Sequence, residues 1–385
     1  MTEPAVFVER AREIAPRIVA ARDRIERERT LPAEMVEAFR EAGLFDLWKA
    51  RVFDGAELHP ADLVRVLEPI SAADGSAGWC VANSCCFSRV SGNLPEAAAR
   101  AVFGDGPVTG AGSLNPTGTA VAAPGGYRVS GRWAYGSGVR HAGWLATACV
   151  VHEAAAPRLT AAGTPEIRFA VLPTAQAEII DTWFVGGLRG SGSFDYRVDD
   201  VFVPEGFTMQ PFATERVQPG TLYALPLVTT FCVALAAVSL GIARAAIDAL
   251  VELAAAKTPM GTPGLLRERA GAQAAVGQAE ALLRSGRAFL LESVQALWDD
   301  AEAGHPTLPA RSLARLACCH AAAGAAKAVD LMFNAAGGSA LFESGRIERC
   351  FRDVHAARQH IGLSSANYEL CGRQLLGLDV GTARF

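Results

Sequence analysis

The chain lacks most of the short motifs that announce a chemistry. Its 38 glycines never fall as GxGxxG after a strand or as a phosphate-binding P-loop, so neither a dinucleotide fingerprint nor an NTPase is indicated. No GxSxG is present, and Ser113 and Ser137 have no adjacent His and Asp, which argues against a serine hydrolase. The nine cysteines form no spaced CxxC pair with histidines, so no metal site is expected. Their odd number and small apolar neighbours suit free, buried thiols in a reducing cytoplasm. The start, MTEPAVFVERAREIAPR, has charges of both signs and no apolar export stretch. No charge excess exists either: 36 basic against 40 acidic residues gives −4, which offers nothing to a nucleic-acid backbone or an anionic membrane.

What is present is apolar. Half of the 385 residues are hydrophobic and a fifth are charged, enough for two or three cores. The most apolar run, Leu225 to Ala243, nears membrane-span length. Its Gly, Ser and Ala content and the amphipathic segments after it favour a buried bundle helix.

The texture changes twice. Up to about residue 103 the spacing predicts helices: Val6 to Arg24, Ala33 to Ala42 after Pro32, Ala61 to Ala73 after Pro60, a buried Gly75 to Arg89 around Trp79, and a short one after Pro95. From 104 to 215 alternating, β-branched runs predict strands at Thr119 to Ala122, Gly126 to Trp133, Leu145 to Val151, Ile167 to Leu172, Ala177 to Trp183 and Asp195 to Val203. Gly125-Gly126 reads as a hairpin turn, and the whole as a sandwich- or barrel-like β domain. From 216 to 385 four alanine-rich helices are expected: Leu225 to Ala256, Pro263 to Ala303, Pro309 to Ala336 and Ile347 to Leu376. The class is α+β, with an N-terminal helical domain, a central β domain and a C-terminal four-helix bundle.

Three clusters could carry chemistry. Residues 349–360 hold Arg349, Arg352, Asp353, His355 and His360. Helical spacing puts Arg352, His355 and Gln359 on one face, and Arg349, Asp353 and His360 on another. Either histidine could exchange a proton near neutrality, or the charges could form only a structural ion network. Residues 131–138, GRWAYGSG, end an aromatic strand in small residues that allow close backbone approach, or simply make a turn beside a packed tryptophan. Residues 181–193, DTWFVGGLRGSGS, could form an anion-accepting loop. His59, His141, His152, His305 and His320 stand isolated.

Taken in order, these clusters resemble the acyl-CoA dehydrogenase superfamily. The likeness is to its two-component, flavin-dependent monooxygenase branch, the group of the p-hydroxyphenylacetate, steroid-catabolic phenol and dibenzothiophene oxygenase components. It rests on residues 125–133 running into Ser137-Gly138, on Asp181-Thr182-Trp183 with residues 187–193, on Val201-Phe202-Val203-Pro204-Glu205, and on Arg352-Asp353 with His355 and His360. The resemblance implies an acyl-CoA dehydrogenase-like fold with a flavin between β domain and bundle. Ser137 then matches a serine that approaches flavin N5. Trp133 and Trp183 match aromatics packed near the flavin. Gly138 belongs to the same small-residue loop, and Leu188, Arg189 and Ser191 to the flavin-side loop. Ser113 matches a second pocket residue, and His360 a C-terminal-helix histidine that faces flavin and substrate.

The implied activity uses reduced flavin (FMNH2 or FADH2) and O2, through a C4a-hydroperoxyflavin, to hydroxylate a small aromatic or polycyclic molecule. His360 would orient or deprotonate a substrate hydroxyl, or protonate the distal oxygen. A separate NAD(P)H:flavin reductase would supply the flavin, and a homotetramer is implied. Two departures bear on this. Many dehydrogenases of the superfamily place a catalytic glutamate eight residues after the Asp of the Arg-Asp pair, where this chain has Ile361. Several phenol-hydroxylating relatives have a histidine after the N-terminal tryptophan, near where Ser88 or Arg89 falls in this chain. The alternatives are an acyl-CoA dehydrogenase or flavin oxidase, and a flavin-free interaction protein on the same scaffold.

Overall fold

A computed structural model describes residues 3–211, 216–261 and 263–381. Helices α1 (Glu3–Glu28), α2 (Ala33–Glu41), α3 (Pro60–Ala73), α4 (Gly75–Ser88) and α5 (Glu96–Phe103) come first. Local chemistry sets their starts. His59 Nδ1 accepts the Ala61 N–H at 3.0 Å ahead of α3, and Asp74 caps α4 through the Ala77 N–H at 2.9 Å. Helix α4 has almost no polar face: Trp79, Cys80, Val81, Cys85 and Phe87 are all buried, which makes it an interior helix.

The middle is one mixed sheet. Its strands are β1 (Gly110–Ala123), β2 (Gly126–Gly136), β3 (Trp144–Glu153), β4 (Ala156–Pro157), β5 (Ile167–Pro173), β6 (Glu178–Ile180), β7 (Phe194–Pro204) and β8 (Thr208–Met209). The order is β6-β7-β2-β1-β3-β5-β8, with β4 beside β3. Pro124 and Gly125, the latter at φ +79°, turn β1 into β2, with Ala123 facing Gly126. β1 is longer than the sequence predicts because parallel pairing with β3 recruits its Gly- and Ser-rich start; the register slips between Ser113 and Gly118. β6 is shorter than Ala177 to Trp183, because Asp181 leaves the sheet to meet Arg29. The expected boundary at residue 215 lies outside the described residues.

The C-terminal helices are α6 (Thr221–Ala224), α7 (Leu227–Ala256), α8 (Ala270–Glu302), α9 (Leu308–Ala336), α10 (Arg346–Arg358) and α11 (Ala366–Leu375). α7 through α10 pack as the bundle, with α11 on α9 and α3 laid across α7. α7 is long and apolar enough to cross a membrane, but 89% of its most apolar window is buried in the protein core. The expected single helix Ile347 to Leu376 is corrected here. It stops at Arg358 and resumes at Ala366, with His360 in extended conformation between the two. In this break Gly362 passes close to α7, where a Cβ would lie 2.5 Å from Cys232 Sγ.

Candidate active site

The α10–α11 break, α4, the start of β1, the end of β2 and the 183–193 loop together line an open cavity of about 630 Å³. That is within the range of small-molecule sites. Trp79, Phe87 and Phe231 supply much of its apolar wall, and Ser113, Ser137, Ser191 and Ser193 its hydroxyls.

Those hydroxyls are organised. Trp79 Nε1 donates to Ser137 Oγ at 3.0 Å. Ser137 and Ser193 hydroxyls lie 2.8 Å apart, and so do those of Ser193 and Ser191. All three serines are buried, so each needs a partner, and the chain provides one. An indole N–H can only donate, which leaves Ser137 O–H to donate to Ser193 or into the cavity. The chain ties α4, β2 and the start of β7 together at the cavity wall.

The 183–193 loop is fixed from the bundle side. Leu188 has φ +51°, a conformation that costs a non-glycine residue about 1–3 kcal/mol. Its N–H donates to Asp353 Oδ1 at 2.6 Å, and its carbonyl accepts from Trp183 Nε1 at 3.2 Å. Gly187 passes so near α10 that a Cβ would sit 2.1 Å from the Arg352 carbonyl oxygen. Arg352 donates to the Gly186 carbonyl at 2.6 Å and pairs with Glu26 and Glu348 at 2.7 Å each. Behind this, Arg349 meets Asp74 at 2.9 Å.

His360 reaches the cavity because the helix has already ended. Its Nδ1 accepts the Gly362 N–H at 3.1 Å, which places the proton of the neutral ring on Nε2. Phe231 and Trp79 present edge-on contacts to the ring, with centroids at 5.1 and 6.1 Å. Burial, and then the charge of Arg315, lower its pKa to about 4. At neutral pH it is therefore an uncharged donor. The general-base role expected of it would require Nδ1 or Nε2 to be freed first.

Of the residues singled out in the sequence, the cavity gathers Ser113, Ser137, Trp183, Leu188, Ser191 and His360. Trp133 is elsewhere. It is fully buried in the sheet core, stacked on Tyr196 at 5.5 Å, with Nε1 bonded to the Ala148 carbonyl at 2.7 Å. Gly138 lies behind the wall at φ +75°, its N–H on the Ser191 carbonyl at 2.8 Å. Arg189 also lies outside the lining, 3.7 Å from Glu26. His355 pairs with Asp330 at 2.8 Å, away from the cavity. Ser88 and Arg89 are buried outside the lining, and Arg89 instead holds the Leu222 and Leu225 carbonyls.

Tyr135, not singled out in the sequence, lines the cavity in place of Trp133. Two residues apart on a strand, the two rings should share a face. Four residues of β2, from Trp133 to Gly136, span three of β7, from Tyr196 to Phe194, and Tyr135 takes φ +65° at this bulge. Its ring ends 71% exposed, edge-on to Trp183. Trp133→Phe is expected to lower stability by about 1–3 kcal/mol through the orphaned Ala148 carbonyl while leaving reduced-flavin affinity unchanged. Denaturant unfolding and anaerobic titration would check both; lost affinity at unchanged stability would return Trp133 to the site.

Among known proteins, the family described as "Acyl-CoA dehydrogenase, C-terminal domain" matches residues 233–365. Indole-3-acetate monooxygenase of Pseudomonas putida is 33% identical over 91% of this chain and 89% of its own length. The oxygenase component of the FADH(2)-dependent resorcinol hydroxylase of Rhizobium sp. (strain MTP-10005) is 31% identical over 98% and 96%. The structure of XiaF from Streptomyces sp. in complex with FADH2 and glycerol superposes with a TM-score of 0.90, at 27% identity, covering 98% of this chain and 97% of that one.

The chain belongs to the family of flavin-dependent oxygenase components of two-component monooxygenases, built on the acyl-CoA dehydrogenase fold. It is a hydroxylase that uses reduced flavin and O2, acting on a small molecule with flavin supplied by a separate reductase. The cavity fits such a cofactor. The half-exposed ring of Trp183, the exposed Tyr135 and the glycines at 186 and 187 offer flat surface, and the serine hydroxyls offer partners for polar ring edges.

Proposed function

We propose that this chain hydroxylates a small aromatic substrate held between Phe231, Trp79 and His360, beside a flavin lodged against Trp183, Tyr135, Leu188 and the serine chain. The observation that carries this is the place of His360, its Nδ1 held by the Gly362 N–H, in an aromatic-walled cavity that also holds the linked hydroxyls. When bound, reduced flavin supplies the electrons and the activated oxygen. The protein's part is geometry and exclusion of water. Ser137 O–H is placed to donate to a flavin ring atom, and Ser191 and Ser193 hold it there. Ser113 lines the substrate side. His360 holds a proton at Nε2 for an oxygen of the substrate or of the reacting group. Ile361, standing where a dehydrogenase would carry its glutamate, leaves no carboxylate to abstract a proton from an acyl thioester.

FADH2 is the first flavin to test, since the Rhizobium relative is named as FADH(2)-dependent and the XiaF structure is a complex with FADH2. A reducing cytoplasm suits the nine free cysteines. A homotetramer formed through the bundle would cover exposed Leu341, Phe342, Leu375 and Leu376, and light scattering would measure its mass. The decisive experiment is anaerobic titration with FADH2 and FMNH2, then mixing with O2 and an aromatic substrate. Hydroxylated product in proportion to flavin oxidised is expected. Tight binding of oxidised FAD, with flavin bleached by an acyl thioester and no reductase, would instead establish the dehydrogenase alternative.

A further inference from the structure

We infer that Arg315 and Asn367 are positioning residues for the reaction: from α9 and α11 they hold the turn that sets His360 in the cavity wall. The inference rests on the hydroxylase reading above, in which His360 handles a proton, and adds the residues that act through it.

The turn is short and closely held. His360 is extended, Ile361–Leu363 make a single 3₁₀ turn, and Ser364 is extended again before α11. Within it the Leu363 N–H donates to the His360 carbonyl at 2.8 Å, and the Gly362 N–H to His360 Nδ1 at 3.1 Å. Asn367 fixes it from outside. Its Nδ2 donates to the Ile361 carbonyl at 3.0 Å and to the Ser364 carbonyl at 3.1 Å. A side-chain amide nitrogen has two N–H groups, so both serve this turn. The Asn367 oxygen accepts from Arg315 Nη2. Arg315 can only donate, which gives the amide one orientation. Cys319, one helical turn after Arg315, adds weak Sγ contacts to the Gly362 and Ser364 carbonyls at 3.8 and 3.6 Å.

The placing of Arg315 marks this relay as more than packing. The side chain is buried, and among the described residues no carboxylate pairs with it. Its Nε and Nη1 have no hydrogen-bond partner there. A buried cation without a counter-charge is unfavourable, and an apolar side chain of similar volume would fold more readily at that place. The fold keeps it behind the one imidazole of the cavity lining. The titratable groups on the elements around that ring are Arg315 and Cys319 of α9, Cys232 of α7, Cys86 of α4, Tyr368 of α11 and Arg358 of α10. Burial pushes the three thiols and the phenol up, so they stay neutral, and Arg358 is exposed. Arg315 is then the buried charge that acts on the ring, and with burial it opposes protonation. One relay thus fixes both where the imidazole stands and that it stands uncharged, and a reacting group misplaced by 1 Å can cost roughly 10²-fold in rate.

The test is NMR of the intact protein, labelled at its histidine nitrogens and free of flavin, with the His360 signals assigned by their absence from His360→Gln. In the parent one neutral tautomer is expected, with Nδ1 unprotonated and a titration midpoint below about pH 5. Asn367→Ala releases the turn and should shift the two ring nitrogens toward averaged tautomers. Arg315→Met removes donor and charge at similar volume, and should raise the midpoint by at least about one unit, toward the free value near 6.5. Arg315→Lys keeps the charge and should restore a low midpoint. Urea unfolding checks that each variant is folded. A parent-like tautomer in folded Asn367→Ala, or a parent-like midpoint in folded Arg315→Met, would overturn the inference. If either fails to fold, the milder Asn367→Ser and Arg315→Gln are read in the same way. Failure of these to fold would make the relay a structural brace and overturn the inference too. None of these results touches the hydroxylase reading, whose failure would show in the reduced-flavin titration instead.

Discussion

His360→Ala should leave reduced-flavin binding within a few-fold of the parent and lower hydroxylated product per reduced flavin by roughly 10²–10⁴-fold, the worth of one positioned proton donor. The variant loses an imidazole that lines the cavity and the acceptor that the Gly362 N–H uses. His360→Gln separates two roles. Its amide can still donate but cannot accept a proton as a base, so partial rescue supports donation, and no rescue at all supports proton abstraction. The lowered pKa adds a pH signature. Since the ring is neutral until about pH 4, product per flavin should stay flat from pH 8 to about pH 5 as far as this group is concerned. A step near pH 6.5 that disappears in His360→Gln would show that the imidazole charges in the working enzyme. Equal product from His360→Ala and parent would remove His360 from the chemistry.

Asp353→Ala should cost ~1–3 kcal/mol through the buried Leu188 N–H it orphans, and should lower product formation as the Gly187-Leu188 wall is released. Asp353→Asn keeps an acceptor at the same place and should recover most of the product. Burial, and then the negative charge of Asp74, raise the Asp353 pKa to about 7, against the pull of the Leu188 N–H and Arg349. An aspartate free in the unfolded chain titrates near pH 3.9, so folding takes up a proton between about pH 4 and pH 7. The stability this group contributes is therefore present in full below about pH 4 and is lost as pH rises through 7. Urea unfolding of parent and Asp353→Asn at pH 5 and pH 7.5 measures it. The variant should gain on the parent at the higher pH, and an unchanged difference would place the proton elsewhere in the Asp74–Arg349–Asp353 cluster.

Much of the scaffold was written locally. Prolines, capping residues and alanine-rich periodicity marked the helices, and alternation marked most strands, because each of those signals acts within a few residues. The site depended on longer reach. Six of its residues were readable because they sit in ordered motifs of small and aromatic residues. Tyr135 was hidden, since strand alternation assigns it the face of Trp133 and only a bulge against β7 turns it round. Trp79 and Ser193 were visible as residues but not as partners, because their link through Ser137 joins positions 58 and 56 apart in sequence. The break before His360 was equally hidden. The segment has good helical spacing, and the tight passage of Gly362 against Cys232 of a different helix leaves no local trace.

The hydroxyl chain has a consequence for how the enzyme comes into being. Its members come from α4, from the end of β2 and from the approach to β7, while His360 and Asp353 arrive last from the ribosome. The serine links join residues that all precede position 194, whereas Asp353, which holds the Leu188 N–H, and His360 come from α10 and the segment after it. A nascent or partly unfolded molecule therefore has no complete chamber in which to bring flavin and oxygen together. A chain ending before α10 lacks both Asp353 and His360, and no hydroxylation is expected of it.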